Sequence, residues 1–141
     1  MTDENREVLR AGLAAINSGD IDRIVDFVDP QFEVTVPAEL SAEPDIYRGR
    51  EGIRRYFETF QDAMEDIHFA AERSWEAGEH VVVSFRLTAR GKQTGIPVEQ
   101  RAVFVWTLRE RQAIAVRAFA SLPEALASVG LDERAPSVKG L

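Results

Sequence analysis

The side chains that most often carry enzyme chemistry are scarce in this sequence. It contains no cysteine, which excludes a thiolate nucleophile, a thiolate metal site and a disulfide. Its two histidines, His68 and His80, are too few for a three-histidine metal site, and both are expected at the surface. We therefore expect no metal and no cofactor, and acid–base chemistry falls to carboxylate or tyrosine side chains.

Two acidic residues lie in a long predicted loop. Residues 37–48 contain two prolines and form a connection of about a dozen residues, a length that often indicates a lid or a binding loop in a compact domain. Asp45 and Glu43 could each act as a general base if this loop folds inward. The alternative is a surface connection whose acidic side chains are solvated.

Tyr56 lies on the aromatic face of a predicted helix. This helix starts near Arg50 and ends before Ile67, and its apolar positions recur at helical spacing. They are Ile53, Tyr56, Phe57, Phe60 and Met64. Such a face must pack against a large apolar surface. The Tyr56 hydroxyl could donate a hydrogen bond to a ligand, or it could lie at the rim of an ordinary core.

The other predicted elements surround this helix. A helix is predicted over residues 3–18, and Asp20 is expected to cap a second helix whose apolar face ends at Val28. A short strand follows, and after the aromatic helix the pattern changes to the alternation typical of four consecutive strands. The predicted strands cover residues 32–36, 68–75, 81–90, 97–109 and 114–120. Ser121 and Glu124 match a capping box before a last short helix.

The strand over residues 97–109 has two different faces. One face carries Glu99, Arg101, Val103 and Val105, and the other carries Ala102, Phe104, Trp106 and Leu108. We expect the face with Phe104 and Trp106 to be hidden under a partner or a helix. Helices followed by a meander of strands give a segregated α+β pattern, in which a bent sheet could leave a cone-shaped cavity around the aromatic helix.

This order resembles the NTF2-like superfamily and, within it, the SnoaL-like domains. The phrases that carry the resemblance are NSGDIDRIVDFVDPQFEV, YRGREGIRRYF, AGEHVVVSFRL, RAVFVWTLRE and SLPEALASVGL. The resemblance implies a cone-shaped α+β fold with three N-terminal helices packed in a strongly bent mixed or antiparallel sheet and a short C-terminal helix. It implies one domain over residues 1–131, followed by a flexible tail over residues 132–141.

The ketosteroid isomerases of this fold share the scaffold but not the catalytic residues. Those enzymes use a tyrosine and an aspartic acid as an oxyanion hole, and an aspartate before a proline at the end of the first strand as the base. The matching positions here are Gly12, Arg101 and Val36, which stands before Pro37. Valine cannot move a proton and arginine stays protonated, so the resemblance does not imply that mechanism.

The same alignment implies a mostly apolar cavity with a cationic end. Arg101, Tyr56 and Asp45 are its candidate catalytic residues, and Arg101 could clamp an anion or stabilise an oxyanion. The alternative for Arg101 is a structural pair with Glu99 or another internal acid, and a register slip of one residue would turn Arg117 outward. The implied ligand-binding residues are Gly12, Val36, Phe60, Phe85, Leu87, Arg117 and Phe119. A ligand with a carboxylate, enolate or carbonyl would suit this cavity.

Composition limits the partners and the location. The net charge of −7 argues against binding to a phosphate backbone, so no nucleic acid partner is expected. No apolar run approaches the roughly 20 residues of a membrane span, and the polar start MTDENREV is unlike a signal peptide, so a cytoplasmic location and no membrane contact are expected. Curved sheets of this superfamily commonly pair back to back, which implies a homodimer through the sheet.

Three functions remain open at this point. The first is a SnoaL-like enzyme, an isomerase, cyclase or lyase, that acts on an apolar, anionic or carbonyl-containing small organic molecule. The second is a ligand-binding module without turnover, and the third is a dimerisation or interaction domain. A cavity without an acid or a base would count against the enzyme, and a cavity filled by side chains would favour the interaction domain.

Overall fold

The described residues form four helices and one mixed seven-stranded sheet. The computed structural model describes residues 3–36 and 45–141, and of Asp3 and Asp45 the backbone alone. Its helices are α1 (Asp3–Ser18), α2 (Ile21–Phe27), α3 (Gly49–Ala63) and α4 (Leu122–Ser128). Its strands are β1 (Val28–Val36), β2 (Asp45–Arg48), β3 (Met64–Ala77), β4 (His80–Gly91), β5 (Pro97–Arg109), β6 (Gln112–Phe119) and β7 (Val138–Lys139). No described helix is long and apolar enough to cross a membrane.

The strands follow the order β2-β1-β6-β5-β4-β3-β7. The pairing of β1 with β6 is parallel, and the other neighbours pair antiparallel. The predicted α+β architecture with three N-terminal helices and a short C-terminal helix is confirmed. The predicted meander is confirmed as β3 to β6, and the early strand β1 joins it beside the last strand of the meander.

Local capping explains where the two short helices begin. The Asp20 carboxylate accepts hydrogen bonds from the backbone N–H groups of Asp22 at 3.1 Å and Arg23 at 3.4 Å, as an N-cap residue does. The Ser121 hydroxyl accepts from the Glu124 N–H at 3.4 Å and starts α4 in the same way. The prediction that Val28 belongs to α2 was wrong, because this residue opens β1 and is 2% exposed there.

The predicted long loop is shorter than expected. Residues 45–48 form β2, in which Asp45 pairs with Val36 and Arg48 pairs with Glu33 across from β1. Tyr47 on this strand contacts the ring of Tyr56 on α3 at a centroid distance of 5.0 Å. This aromatic contact packs β2 against the helix that directly follows it. Glu43 and the rest of the predicted lid lie outside the described residues.

The two faces of the sheet bury different clusters. The face toward α1–α3, here called the helix-side face, packs Val81, Val83, Phe85 and Trp106 against the helices. The opposite face, here called the α4-side face, packs Trp75, Val82, Val103 and Val105 against Leu126 of α4. In register, Val83 stands opposite Phe104, and Val82 stands opposite Val105, so each pair belongs to one face.

The last residues make ordered contacts with β3. Val138 pairs with Ser74 and Lys139 pairs with Arg73 in β7, and the Gly140 N–H donates to the Glu72 carbonyl at 2.8 Å. Leu141 packs against the helix-side core. The sequence analysis expects a flexible tail over residues 132–141, whereas in the structure its last four residues lie along the edge of the sheet.

Candidate functional site

The first cavity lies between α1–α3 and the helix-side face of the sheet. Its volume is about 50 Å³. Its walls come from all three helices and from β1, β3, β5 and β6. They are Ile16, Ile24, Phe27, Val28, Phe32, Val34, Val36, Ile53, Tyr56, Phe57, Phe69, Phe104, Trp106, Val116 and Ala118. This cavity is therefore apolar and aromatic, with polar atoms on two side chains, Tyr56 and Trp106.

A second cavity of about 50 Å³ adjoins the first. Five wall residues belong to both cavities: Val36, Tyr56, Phe69, Phe104 and Ala118. The other walls of the second cavity are Phe60, Phe85, Leu87, Gln100 and Ala102. The two cavities are therefore separated only by side chains that line both of them.

Tyr56 is a wall of both cavities and carries a phenol hydroxyl. Burial raises the pKa of this phenol to about 12, and the nearby Tyr47 adds to the increase. The ring is fixed by contacts with Tyr47 at 5.0 Å and Phe57 at 5.2 Å between centroids. The hydroxyl therefore remains protonated at neutral pH and can donate a hydrogen bond there.

Trp106 is the other wall residue of the first cavity that carries a polar side-chain atom. Its side chain sits on the helix-side face, and the residue is 7% exposed. Its indole Nε1 is buried and has no hydrogen-bond partner in the described part of the chain. Of the two covers expected for Trp106 and Phe104, a partner or a helix, the structure shows the helices, because both side chains form walls of the first cavity beneath α1–α3.

The two candidate arginines do not reach the cavities. Arg101 stands opposite Arg86 on the α4-side face, its side chain is 73% exposed, and its Nε lies 3.4 Å from Glu72 Oε1. Arg117 stands opposite Val105 on the same face, with its guanidinium 5.0 Å from the centroid of the Phe119 ring. The predicted inward placement of Arg101, Arg117 and Phe119 was wrong, since all three share the face that carries α4.

The remaining predicted groups have separate positions. The backbone of Asp45 is the register partner of Val36, a wall residue of both cavities, and Glu43 lies outside the described residues. His68 is exposed, and His80 Nδ1 lies 3.0 Å from the Thr107 hydroxyl. Within the described residues, no cluster of acidic or histidine side chains could hold a metal ion.

A comparison with protein-family models shows which family this chain belongs to. A model of the SnoaL-like domain matches residues 9–116, which contain α2, α3 and β1 to β5 entirely. The chain belongs to the SnoaL-like family. A search of the curated proteins finds no significant match.

Solved structures show the same fold at low sequence identity. One is a protein of ketosteroid isomerase-like fold from Catenulispora acidiphila in complex with trimethylamine, with 19% identity, a TM-score of 0.72, and coverage of 89% of this chain and 93% of that chain. An NTF2-like protein from Burkholderia xenovorans has 24% identity, a TM-score of 0.70, and coverage of 92% and 97%. SalBIII, an epoxide hydrolase/cyclase-like enzyme in pyran ring formation, has 21% identity, a TM-score of 0.71, and coverage of 85% and 92%.

Gly12 has a packing role in this SnoaL-like domain. The ring of Phe27, which is also a wall of the first cavity, lies so close to Gly12 that a Cβ atom at this position would overlap with it. Gly12 itself is not a wall of either cavity. The position that aligns with the isomerase tyrosine is therefore covered by a neighbouring aromatic ring.

The cavities of this SnoaL-like domain lack acid–base groups in the described part of the chain. No carboxylate, histidine or arginine forms a wall of either cavity there. Val36, Tyr56, Phe60, Phe85 and Leu87 stand along the cavities, and their part in ligand binding stays a prediction. The walls of the two cavities are therefore apolar and aromatic with few polar atoms, and none of the wall residues is a carboxylate or a histidine.

Sequence reasoning missed several of the walls. Phe27, Phe32, Phe69, Phe104 and Trp106 were not predicted as site residues, although they form most of the aromatic surface of the first cavity. A signal was present in β5, where Val98, Ala102, Phe104, Trp106 and Leu108 make one face almost wholly apolar. The face with Glu99, Arg101, Thr107 and Arg109 is polar at both ends. The more apolar face of a strand is the one that packs against the main core.

Proposed function

We propose that this protein binds a small, neutral, largely apolar organic molecule in the two adjoining cavities and does not convert it. The observation that supports this most is the composition of the walls. They are apolar or aromatic, apart from Gln100, the Tyr56 hydroxyl and the Trp106 indole N–H. Apolar walls with a small number of placed polar groups are typical of small-molecule sites.

The position of the arginines argues for a neutral ligand. The sequence analysis expects an anionic or carbonyl-containing molecule because Arg101 and Arg117 were placed inside the cavity. Both arginines lie on the α4-side face, so a carboxylate in the cavities would be buried without a cation from the described residues. An unpaired buried charge is costly, whereas a carbonyl needs only a hydrogen-bond donor.

The size of the cavities argues for a compact ligand. Each has a volume of about 50 Å³, and an engineered apolar cavity that binds benzene measures roughly 150 Å³. A single-ring molecule therefore requires the shared walls, including Phe69 and Phe104, to move apart and join the two cavities.

A thermal melting series tests this function. We expect acetophenone and ethylbenzene, both neutral and single-ringed, to raise the melting temperature of the protein, and benzoate to leave it unchanged. Ala118→Leu should abolish the increase, because Ala118 is a wall of both cavities and the added atoms would fill them.

The matched control for this substitution is Ala115→Leu. Ala115 lies on the same strand β6, is opposite Thr107, and is not a wall of either cavity. This variant should keep the ligand-induced increase in melting temperature. Binding of benzoate in preference to the neutral compounds, or no binding of any of the three by the wild-type protein, would contradict the proposal.

An enzyme of the isomerase, cyclase or lyase kind is the second candidate, favoured by one observation. Asp45 is the register partner of Val36, so its backbone stands beside a wall of both cavities. In that case Asp45 would be the general base and Tyr56 the hydrogen-bond donor to the reacting oxygen.

Asp45→Asn tests the enzyme candidate. Metabolite extracts incubated with the wild-type protein and with this variant would be compared by mass spectrometry. A compound that the wild-type protein consumes at least ~100-fold faster than Asp45→Asn would favour the enzyme, since general base catalysis contributes about that much. Consumption of no compound favours binding without turnover.

The homodimer through the sheet and the cytoplasmic location stay predictions. On the α4-side face, α4 covers Val82, Val103 and Val105, while Arg86 and Arg101 stand opposite each other beside them. A second copy on this face would have to bring carboxylates near these arginines. Sedimentation at low and high salt tests this, because a dimer held by such pairs should weaken as salt screens them.

A further inference from the structure

One buried hydrogen-bond donor next to the cavities has no acceptor. Trp106 is 7% exposed, its Nε1 is fully buried, and no acceptor for it is found within the described residues. Well over nine-tenths of buried backbone groups, and most buried side-chain polar atoms, have such a partner in folded proteins. The unpaired Nε1–H is therefore a feature that needs a physical explanation.

Three aromatic rings pack against this indole. The rings of Phe27 and Phe104 meet it edge to face at centroid distances of 6.4 and 6.3 Å, and the ring of Phe32 stacks on it at 6.4 Å. These rings hold the plane of the indole, and none of them offers an oxygen or nitrogen acceptor. The only contact that these rings can offer the Nε1–H is a weak one with a ring face.

Trp106 is also a wall of more than one cavity. It lines the first cavity and a small third cavity of about 10 Å³, which is bounded by α1 and Leu141. A phenylalanine would fill much of the same apolar space without introducing a polar atom. An indole at this position adds a second donor, beside the Tyr56 hydroxyl, to a region that is otherwise apolar.

We propose that the Trp106 Nε1–H is the donor that selects the ligand of the cavity, which must carry a neutral acceptor oxygen of the carbonyl or ether type. This inference rests on the proposed binding function and specifies its ligand class. When the oxygen of a bound ligand accepts a hydrogen bond from the Trp106 Nε1–H, the donor is no longer unpaired and its desolvation penalty is removed. A hydrocarbon of the same shape leaves that penalty in place, so the two differ in affinity.

Trp75 provides an internal control for this donor. Its Nε1 is also buried without a partner among the described residues, but the side chain belongs to the cluster under α4 on the opposite face of the sheet. It is not a wall of the first, second or third cavity. A ligand in the cavities should therefore change the environment of one indole N–H and not of the other.

The test is a titration of ¹⁵N-labelled protein followed through its two indole N–H resonances, which Trp106→Phe assigns. We expect acetophenone to move the Trp106 resonance downfield, as hydrogen bonding does, and to leave Trp75 in place. Ethylbenzene should bind without a downfield shift of Trp106. Acetophenone should bind about tenfold more tightly than ethylbenzene, the difference expected for one neutral hydrogen bond.

Trp106→Phe separates this inference from the proposed function. In that variant ethylbenzene should still bind, and the tenfold preference for acetophenone should disappear, whereas Tyr56→Phe should keep the preference. If both compounds bind the wild-type protein with equal affinity and without a downfield shift, the role of Trp106 is overturned while the binding function stands. If neither compound binds, the binding function itself has failed.

Discussion

A few side chains determine what the cavities can hold. Trp106 and Tyr56 carry donors, and the ring of Phe27 leaves no room for a side chain at Gly12. The two candidate arginines, Arg101 and Arg117, lie on the α4-side face of the sheet. The presence of a tyrosine on an aromatic helix face could be predicted from spacing alone. The burial of its hydroxyl depends on β2, a strand that the sequence analysis does not predict.

The buried phenol predicts a pH dependence at the alkaline end. Burial raises the pKa of Tyr56 from 10.0 to about 12, which favours the protonated form in the folded protein. The stabilisation is fully present below pH 10 and is lost between about pH 10 and 12, because the unfolded chain releases this proton first. Two pKa units correspond to about 3 kcal/mol of unfolding free energy.

Urea denaturation at several alkaline pH values measures this effect. Tyr56→Phe is the control, because it removes the titrating hydroxyl and keeps the ring that contacts Tyr47 and Phe57. The wild-type protein should lose about 3 kcal/mol more than the variant across that interval. Parallel losses in the two proteins would show that the Tyr56 hydroxyl is not buried in the folded state.

At the scale of elements, alternation predicts strands better than it predicts their inner face. The segments β3 to β6 follow from period-2 patterns, and α1 to α4 follow from helical spacing and from caps such as Asp20. In β5, however, Val103 and Val105 are apolar like Phe104 and Trp106, because α4 covers the second face. The two faces of β5 therefore differ only near the ends of the strand, where Glu99, Arg101, Thr107 and Arg109 are polar, and this weak difference was misread in the placement of Arg101.

Contacts between distant segments account for the other differences. β2 and β7 have four and two residues, and they exist because they pair with β1 and β3. Such short strands carry no periodic signal of their own. Their formation depends on a neighbouring edge, which is a property of the assembled sheet.

A buried arginine connects α1 to β3. Arg6 is 8% exposed, its Nη1 donates to the Ser74 hydroxyl at 2.7 Å, and its Nη2 lies 2.6 Å from Glu76 Oε1. Ser74 is fully buried. These contacts hold the N-terminal end of α1 against the sheet. At the other end of α1, the Asn17 side-chain amide donates to the Phe69 backbone carbonyl at 2.9 Å.

Arg6→Ala should destabilise the protein substantially. We expect a loss of about 3 kcal/mol in unfolding free energy, the lower end of the range for breaking a buried ion pair. The Glu76 side chain is 25% exposed, so part of its charge remains hydrated and limits the loss. Urea denaturation measures it, with Arg23→Ala on the exposed side of α2 as the control, for which a change within about 0.5 kcal/mol is expected.

At the scale of the whole molecule, charge and cavity are separated. The chain has a net charge of −7, and the acidic side chains of the described residues lie on the surface. The described walls of the two cavities carry no charged side chain. The sequence analysis expects a locally cationic pocket inside an acidic protein. The structure replaces it with an uncharged pocket, and arginines such as Arg86 and Arg101 form part of the outer surface.

The most direct measurement for this account is a methyl NMR titration that locates the binding site. With acetophenone, we expect shifts of the Val36, Ile53 and Val116 methyl groups, which line the first cavity, while Val82 and Val105 under α4 stay unchanged. Benzoate should shift none of them. Shifts confined to Val82 and Val105, or a response of the cavity methyl groups to benzoate alone, would contradict a neutral-ligand site between the helices and the sheet.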